Sequence, residues 1–115
     1  MPIDPNPVLA LVRDLIFATK ISTAARGVGA AMKMIRDPAA LGNEPGRLLL
    51  VDLNLPGAIE AAGRWRAAGA GGPVVGFVSH VDADTAAHAR AAGIDQVMAR
   101  SRFVEILPQL LAQPE

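Results

Sequence analysis

Short apolar runs alternate with alanine-rich stretches along the chain, and the two kinds of segment have different patterns. The apolar runs are continuous, which is typical of strands buried on both faces of a sheet. The alanine-rich stretches carry apolar residues on one face and often end at glycine, which indicates helices. The predicted strands are Val8–Val12, Ala31–Ile35, Arg47–Asp52, Pro73–Val78 and Gln96–Ala99.

The predicted helices lie between and after these strands. The segment Asp37–Gly42 is short, with an aspartate N-cap, a proline in the first turn and a glycine at its end. Apolar residues from Phe103 to Leu111 recur at i, i+3, i+4, i+7 and i+8, which predicts an amphipathic C-terminal helix. The other predicted helices are Ile16–Arg26, Ile59–Ala68 and a segment capped by Asp82 that runs to Ala92.

This alternation predicts a parallel sheet, because parallel neighbours need a crossover that a helix usually provides. We therefore expect an α/β fold of three layers, an α/β/α sandwich around a five-stranded parallel sheet. The flavodoxin-like strand order 2-1-3-4-5 fits this pattern best. The chain has 115 residues, so we expect residues 1–115 to form a single domain.

Composition and charge exclude several classes of function. Eleven basic residues balance eleven acidic ones, which argues against binding to nucleic acid or to a membrane surface. The chain has no cysteine, which rules out thiolate metal sites, and with two histidines a metal site would depend on carboxylates. The start of the chain does not resemble a signal peptide, and no apolar run approaches the roughly 18 residues of a membrane span. We therefore expect a cytoplasmic protein.

Polar residues follow four of the five predicted strands. In an open parallel sheet the carboxyl ends of the strands lie along one edge, where ligands bind near the switch in strand order. Arg13 and Asp14 follow the first strand, and Asp52 ends the third. Ser79 follows the fourth strand and Arg100 the fifth. Two carboxylates, a hydroxyl and two guanidinium groups are therefore expected in one cleft.

Three segments resemble the receiver domain of bacterial response regulators, and the resemblance covers nearly the full length. Leu49–Gly57 is similar to the family's phosphoacceptor segment, and Pro73–Asp82 is similar to its fourth strand with the switch hydroxyl. Ala91–Asp95 is similar to the link into its fifth strand. The resemblance implies that Asp52 is the phosphorylatable carboxylate and that Ser79 contacts the phosphoryl group.

The same resemblance implies a metal and a function. A divalent cation such as Mg²⁺ would be held by Asp14, Asp52 and the backbone carbonyl of Asn54, and Arg100 would contact the phosphate. A carboxylate can act as a nucleophile and form an acyl phosphate, while the cation neutralises charge on the transferring group. The implied function is a non-enzymatic module of two-component signal transduction, whose partners are a histidine kinase or an effector protein.

The sequence also departs from the family's pattern, which predicts an atypical, pseudo-receiver-like site. Arg13 replaces the first residue of an acidic pair, and Arg100 replaces a lysine. If Arg13 turns towards the cleft, two guanidinium groups cancel the charge of Asp14 and Asp52. We therefore expect no tightly bound Mg²⁺ and no other tightly bound cofactor. The further departures are Ser101 for a proline, Val97 for an aromatic switch residue and His80 for a small residue.

Three functions stay open at this point. The favoured one is a stand-alone receiver-like signalling module that acts through protein–protein interaction. The second is a working phosphoacceptor that uses Asp52. The third belongs to another class, a small flavodoxin-like enzyme or ligand-binding domain in the same cleft, which a sufficiently large pocket would favour.

Two surfaces are candidates for partner binding. Trp65 lies off the predicted helical stripe of Ile59, Ala62 and Arg66, so its ring either packs against a neighbouring loop or anchors a partner. The family often pairs through its last two helices, where small side chains in this sequence predict a weak homodimer. The residues of that surface are Ala83, Ala87, Arg90, Ala91 and Arg102.

Overall fold

The sheet has the predicted strand order. The computed structural model describes residues 5–80 and 82–112. The first four residues, on which the prediction of no signal peptide partly rests, lie outside the described residues. Five strands pair in parallel in the order β2-β1-β3-β4-β5, which confirms the flavodoxin-like arrangement. Their bounds are β1 (Val8–Leu11), β2 (Met32–Ile35), β3 (Leu48–Asp52), β4 (Val74–Val78) and β5 (Gln96–Ala99).

Helices connect the strands on both faces of the sheet. The predicted short helix over Asp37–Gly42 is a single 3-10 turn (Pro38–Ala40), whose cap is a hydrogen bond from Ala39 N–H to the Asp37 carboxylate. None of the helices in the described part of the chain combines the length and apolar character of a membrane span. The α-helices of that part are α1 (Leu15–Gly27), α2 (Ala58–Ala67), α3 (Ala83–Ala91) and α4 (Arg100–Leu111).

Two apolar clusters flank the sheet, one on each face. On one face α2, α3 and the 3-10 turn cover side chains such as Leu9, Leu49 and Val51. On the other face α1 and α4 cover the alternate side chains, with Phe77 at the centre. Strands β1, β3 and β4 are buried along their whole length, which is why their sequences are continuous apolar runs.

Helix α4 begins earlier than its apolar pattern predicts. Strand β5 ends at Ala99, and Arg100 is already the first helical residue, three residues before Phe103. Ala99 is the N-cap residue and has no side-chain acceptor, so the sequence carries no capping signal at this boundary. The direct connection places Arg100 at the carboxyl end of the sheet.

Trp65 is a core residue, so its interpretation as a surface anchor for a partner is wrong. Its side chain is fully buried, and its indole Nε1–H donates a hydrogen bond to the backbone carbonyl of Glu44 at 2.7 Å. The ring therefore packs beneath the loop that precedes β3, which confirms the other interpretation. The predicted stripe through Arg66 is also wrong, because the buried face consists of Ala58, Ile59, Ala61, Ala62 and Trp65.

Glycines allow the segments before β3 and β4 to approach closely. Gly46 and Gly71 form a parallel bridge, and Gly72 N–H donates to the Gly46 carbonyl at 3.1 Å. A Cβ atom added at Gly71 would overlap the carbonyl oxygen of Gly46, which is backbone and cannot rotate away. The close contact therefore depends on glycine for steric reasons.

We predict that Gly71→Ala lowers the free energy of unfolding by about 1–3 kcal/mol, because the added methyl group forces two backbones apart. The matched control is Gly27→Ala at the end of α1, where a Cβ atom would meet nothing within 4 Å. There alanine should be neutral or stabilise the helix by about 0.5–1 kcal/mol. Urea unfolding measures both, and equal effects of the two substitutions would contradict the steric explanation.

The side chain of Asp95, the residue directly before β5, links α2 to the start of β4. Its carboxylate accepts a hydrogen bond from Val74 N–H at 2.7 Å and pairs with Arg66 through two contacts of 3.2 Å. Partial burial acts to raise the pKa of Asp95, but the Val74 hydrogen bond and the Arg66 guanidinium outweigh it and lower this pKa from 3.8. The folded state therefore favours the ionised form.

We predict that Asp95→Asn lowers the free energy of unfolding by about 1–3 kcal/mol near neutral pH, because charge-assisted hydrogen bonds are lost. The carboxylate stabilises the fold fully above its ordinary pKa of 3.8, and this stabilisation is lost as pH falls through the lower pKa of the folded state. The difference between the two proteins should therefore shrink below about pH 4. Urea titrations at several pH values measure it.

The comparison variant for this experiment is Arg66→Gln, which keeps the Val74 hydrogen bond. Because the Arg66 pair is partly exposed, its loss should cost less than about 1 kcal/mol. A destabilisation by Asp95→Asn that stayed constant down to about pH 3 would rule out the carboxylate as its source.

Candidate functional site

Asp52 ends the central strand of the sheet, and its carboxylate is largely shielded from solvent. Among the described residues, Asp52 is the one charged residue that is buried, with 8% of its surface exposed. Its Oδ1 accepts a hydrogen bond from Asn54 N–H at 3.0 Å, and its Oδ2 lies 3.7 Å from Nη2 of Arg100. These partners offset the cost of burying a carboxylate.

Arg100 reaches Asp52 from the first turn of α4, across β4. The separation of 3.7 Å is too long for a hydrogen bond but close enough for an ion pair. Two unit charges at about 4 Å attract each other by roughly 4 kcal/mol at an effective dielectric constant of 20, before the cost of desolvation. Among the described residues the buried Nε of Arg100 finds no hydrogen-bond acceptor. Arg100 therefore balances the charge of Asp52 while its donors stay poorly satisfied.

Aromatic rings support the Arg100 guanidinium. Its central carbon lies 4.7 Å from the ring centroid of Phe17 and 6.0 Å from that of Phe77, which is within the range of cation–π contacts. Phe77 in turn stacks on Phe103 with centroids 4.4 Å apart. The three phenylalanines of the chain thus form one cluster that fixes the position of the guanidinium.

Asn54 connects the loop after β3 to the loop after β4. Its side-chain Oδ1 accepts a hydrogen bond from Ser79 N–H at 2.8 Å. The resemblance assigned only the backbone carbonyl of Asn54 to the site, so the role of its side chain was missed. Ser79 is exposed next to Asp52's strand end, and the hydrogen bond ties its backbone to the segment that carries Asp52.

The start of α3 is fixed close to Ser79. Asp82 caps the helix and accepts hydrogen bonds from the backbone N–H and the hydroxyl of Thr85, which lower the pKa of Asp82. His80, on the preceding loop, is exposed. Val97 lies partly buried against the apolar cluster under α2 and α3, where the family's pattern has an aromatic residue. Val81 lies outside the described residues.

The side chains that follow β1 differ from the sequence-based expectation. Arg13 does not turn towards the carboxylates, because its Nε donates to the backbone carbonyl of Arg36 beyond β2 at 3.3 Å. Within the described residues it forms no ion pair with Asp14 or Asp52. The prediction that two arginines cancel the two carboxylate charges is therefore wrong for Arg13. The Arg36 carbonyl, directly after the edge strand β2, is the acceptor that Arg13 uses instead.

Asp14 caps α1. Its Oδ1 accepts hydrogen bonds from the N–H groups of Ile16 at 2.9 Å and Phe17 at 3.3 Å. An N-cap carboxylate also interacts favourably with the positive end of the helix dipole. Asp14 thus lies at the carboxyl edge of the sheet with Asp52, Ser79 and Arg100, but part of its capacity as a metal ligand is already used.

The residues present fit a Mg²⁺ site poorly. The described residues contain no cluster of three carboxylate or histidine side chains. Of the two carboxylates at this edge, Asp14 caps a helix and Asp52 faces Arg100. Mg²⁺ requires near-octahedral oxygen ligands and is normally held by free carboxylates. We therefore assign no chemical step to a metal here.

A cleft lies beside Arg100, between the first turns of α1 and α4. Its volume is about 570 Å³, within the range of small-molecule sites. We refer to it as the α1–α4 cleft. It is lined by Asp14, Ile16, Phe17, Lys20, Arg100, Ser101 and Val104.

Comparison with known proteins gives matches in structure only. No protein-family model matches the chain, and no curated protein sequence matches it. Among solved structures, a response regulator from Burkholderia pseudomallei, crystallised with a phosphorylated aspartic acid, a calcium ion and citrate, superimposes with a TM-score of 0.77 at 18% identity. The match covers 94% of this chain and 67% of that one.

Two further receivers give the same result. A response regulator from Thermotoga maritima has a TM-score of 0.74 at 17% identity, over 91% of this chain and 93% of that one. A CheY-like receiver domain protein from Methanospirillum hungatei has a TM-score of 0.76 at 15% identity, over 94% of each chain. The chain therefore has the fold of response-regulator receiver domains.

Proposed function

We propose that the protein is a receiver-type signalling module that acts by binding another signalling protein, with an atypical phosphorylation site. The observation that carries this proposal is the arrangement of Asp52. It occupies the end of the central strand, as the phosphoacceptor of the resemblance does, but an arginine held on aromatic rings faces it. The fold supports the signalling class, and the arginine supports the atypical site.

The charge at the site supports slow or absent phosphorylation. Asp14 and Asp52 supply two negative charges and Arg100 one positive charge, which leaves a net charge of −1 with Arg13 turned away. This is less favourable for a divalent cation than two free carboxylates. Without a well-bound cation, charge on a transferring phosphoryl group is poorly neutralised. Arg100 also keeps Asp52 paired as a carboxylate rather than as a free nucleophile.

The hydrogen bond between Asn54 and Ser79 supports a role for the site in presenting a binding surface. It links the loop after β3 to the loop that leads into α3. A partner that binds α3 or α4 would therefore contact a surface that hydrogen bonds within the protein hold in one conformation. The exposed alanines and arginines of the last two helices fit a weak homodimer as a second interaction of this surface.

Acetyl phosphate tests the proposal directly. We predict that the unmodified protein gains no phosphoryl group detectable by mass spectrometry under conditions that fully label an ordinary receiver run in parallel. Arg100→Lys, which restores the family's usual residue and replaces the planar guanidinium with a compact ammonium group, should gain partial labelling. Arg100→Lys/Asp52→Asn is the control and should lose it. Complete labelling of the unmodified protein at Asp52 would replace this proposal with that of a working phosphoacceptor.

A Mg²⁺ titration tests the charge argument separately. We predict a dissociation constant weaker than the low millimolar range for the unmodified protein, and tighter binding by about tenfold in Arg100→Gln, since one unit of positive charge is removed from the carboxylates. Amide NMR shifts at Asp52 and Asn54 measure the affinity. Arg102→Gln, an exposed arginine in the same helix turn that pairs with Glu105, is the matched control. A dissociation constant of the unmodified protein at or below the low millimolar range would contradict the prediction.

A further inference from the structure

The proposed signalling function does not explain the combination of apolar and charged side chains that line the α1–α4 cleft. It lies on the face of the sheet covered by α1 and α4, and it shares Arg100 with the Asp52 site. One part of its lining is apolar and the other part carries charge. The two parts together indicate which class of ligand fits.

The apolar side chains that line the cleft are exposed to solvent to an unusual degree. Ile16 is 75% exposed and Val104 is 36% exposed, and they lie on the two helices that border the cleft. Leu15, directly before Ile16, is 64% exposed as well. Single exposed apolar residues are ordinary, but a group around one concave surface marks a binding site. A ligand with an apolar body would cover Ile16 and Val104.

The charged part favours a single negative charge. Lys20 and Arg100 supply two positive charges to the lining and Asp14 one negative charge, while Asp52, outside the lining, faces Arg100 at 3.7 Å. The Asp14 carboxylate already accepts the N–H groups of α1. Arg100 makes no hydrogen bond within the described residues, and its ion pair with Asp52 is long. A monoanion in the cleft would therefore accept charge-assisted hydrogen bonds from the partly exposed end of the Arg100 guanidinium, whereas the buried Nε lies out of its reach.

The first turn of α4 strengthens the preference for an anion. Ala99 provides no side-chain cap, and the turn contains no acidic residue, so its backbone N–H groups lack a side-chain acceptor. Ser101, in the same turn, adds a hydroxyl to the cleft lining. These groups lie beside Arg100, so they support the same site.

We propose that the α1–α4 cleft binds a small amphipathic monoanion. The carboxylate of the ligand pairs with Arg100 and Lys20, and its apolar body lies between Ile16 and Val104. The volume of about 570 Å³ accommodates a body of several carbon atoms. This site does not depend on phosphorylation of Asp52, so it can be tested apart from the proposed signalling function.

Octanoate, below its micelle concentration, is the probe for this site. We expect saturable binding to the isotope-labelled protein, with the largest amide NMR shifts at Ile16, Lys20, Ser101 and Val104. Acetate carries the charge without the tail, and octylammonium carries the tail with the opposite charge, so both should bind at least about tenfold more weakly. Absence of saturation, equal binding of octylammonium, or shifts confined to other surfaces would each overturn the proposal.

Variants locate the two halves of the ligand. Arg100→Gln should weaken octanoate binding by about tenfold or more, because the charge-assisted hydrogen bonds are lost. Ile16→Ala removes an exposed side chain that the fold does not need, and it should weaken binding several-fold. The matched control is Val28→Ala, an equally simple truncation of an exposed residue at the far end of α1. Equal effects of Ile16→Ala and Val28→Ala would also overturn the proposal.

Discussion

A carboxylate at the end of the central strand must be balanced inside an otherwise apolar sheet, and much of the surrounding structure follows from this constraint. Asp52 is shielded by neighbouring strands, so its charge needs partners within reach. The chain provides one backbone N–H in the following loop and one guanidinium from α4. The position of α4, directly after β5 without an intervening loop, delivers that guanidinium to the correct end of the sheet.

The guanidinium itself needs support, and the aromatic residues supply it. A chain with so few aromatic side chains places all of its phenylalanines on one face, in mutual contact beneath Arg100. The rings fill the core between α1, α4 and β4, and the ring of Phe17 also offers its face to the cation. Packing of the core and electrostatics of the site are therefore carried by the same residues. The aromatic cluster therefore holds the Arg100 guanidinium in place at this edge of the sheet.

Sequence patterns predicted the sheet well, because its strands are continuous apolar runs and its crossovers carry clear helix signals. The strand-end rule also placed Asp14, Asp52, Ser79 and Arg100 at one edge. The direction of side chains was harder to predict. Arg13 could turn towards the carboxylates or away from them, and the structure shows its Nε donating to the Arg36 carbonyl. For Trp65 the sequence left packing against a loop and binding of a partner open, because the stripe was placed through Arg66, which is exposed and pairs with Asp95.

The connection from β2 to β3 is short, although it passes across β1, which lies between these two strands. About a dozen residues join the two strands, and a single 3-10 turn takes the place of a helix. Leu41 and Trp65, both fully buried, fill the space beneath this connection, and the indole is tied to it at Glu44. Shortening this connection would displace buried Leu41 and the Glu44 carbonyl that accepts the indole hydrogen bond, whereas lengthening it need not disturb either contact.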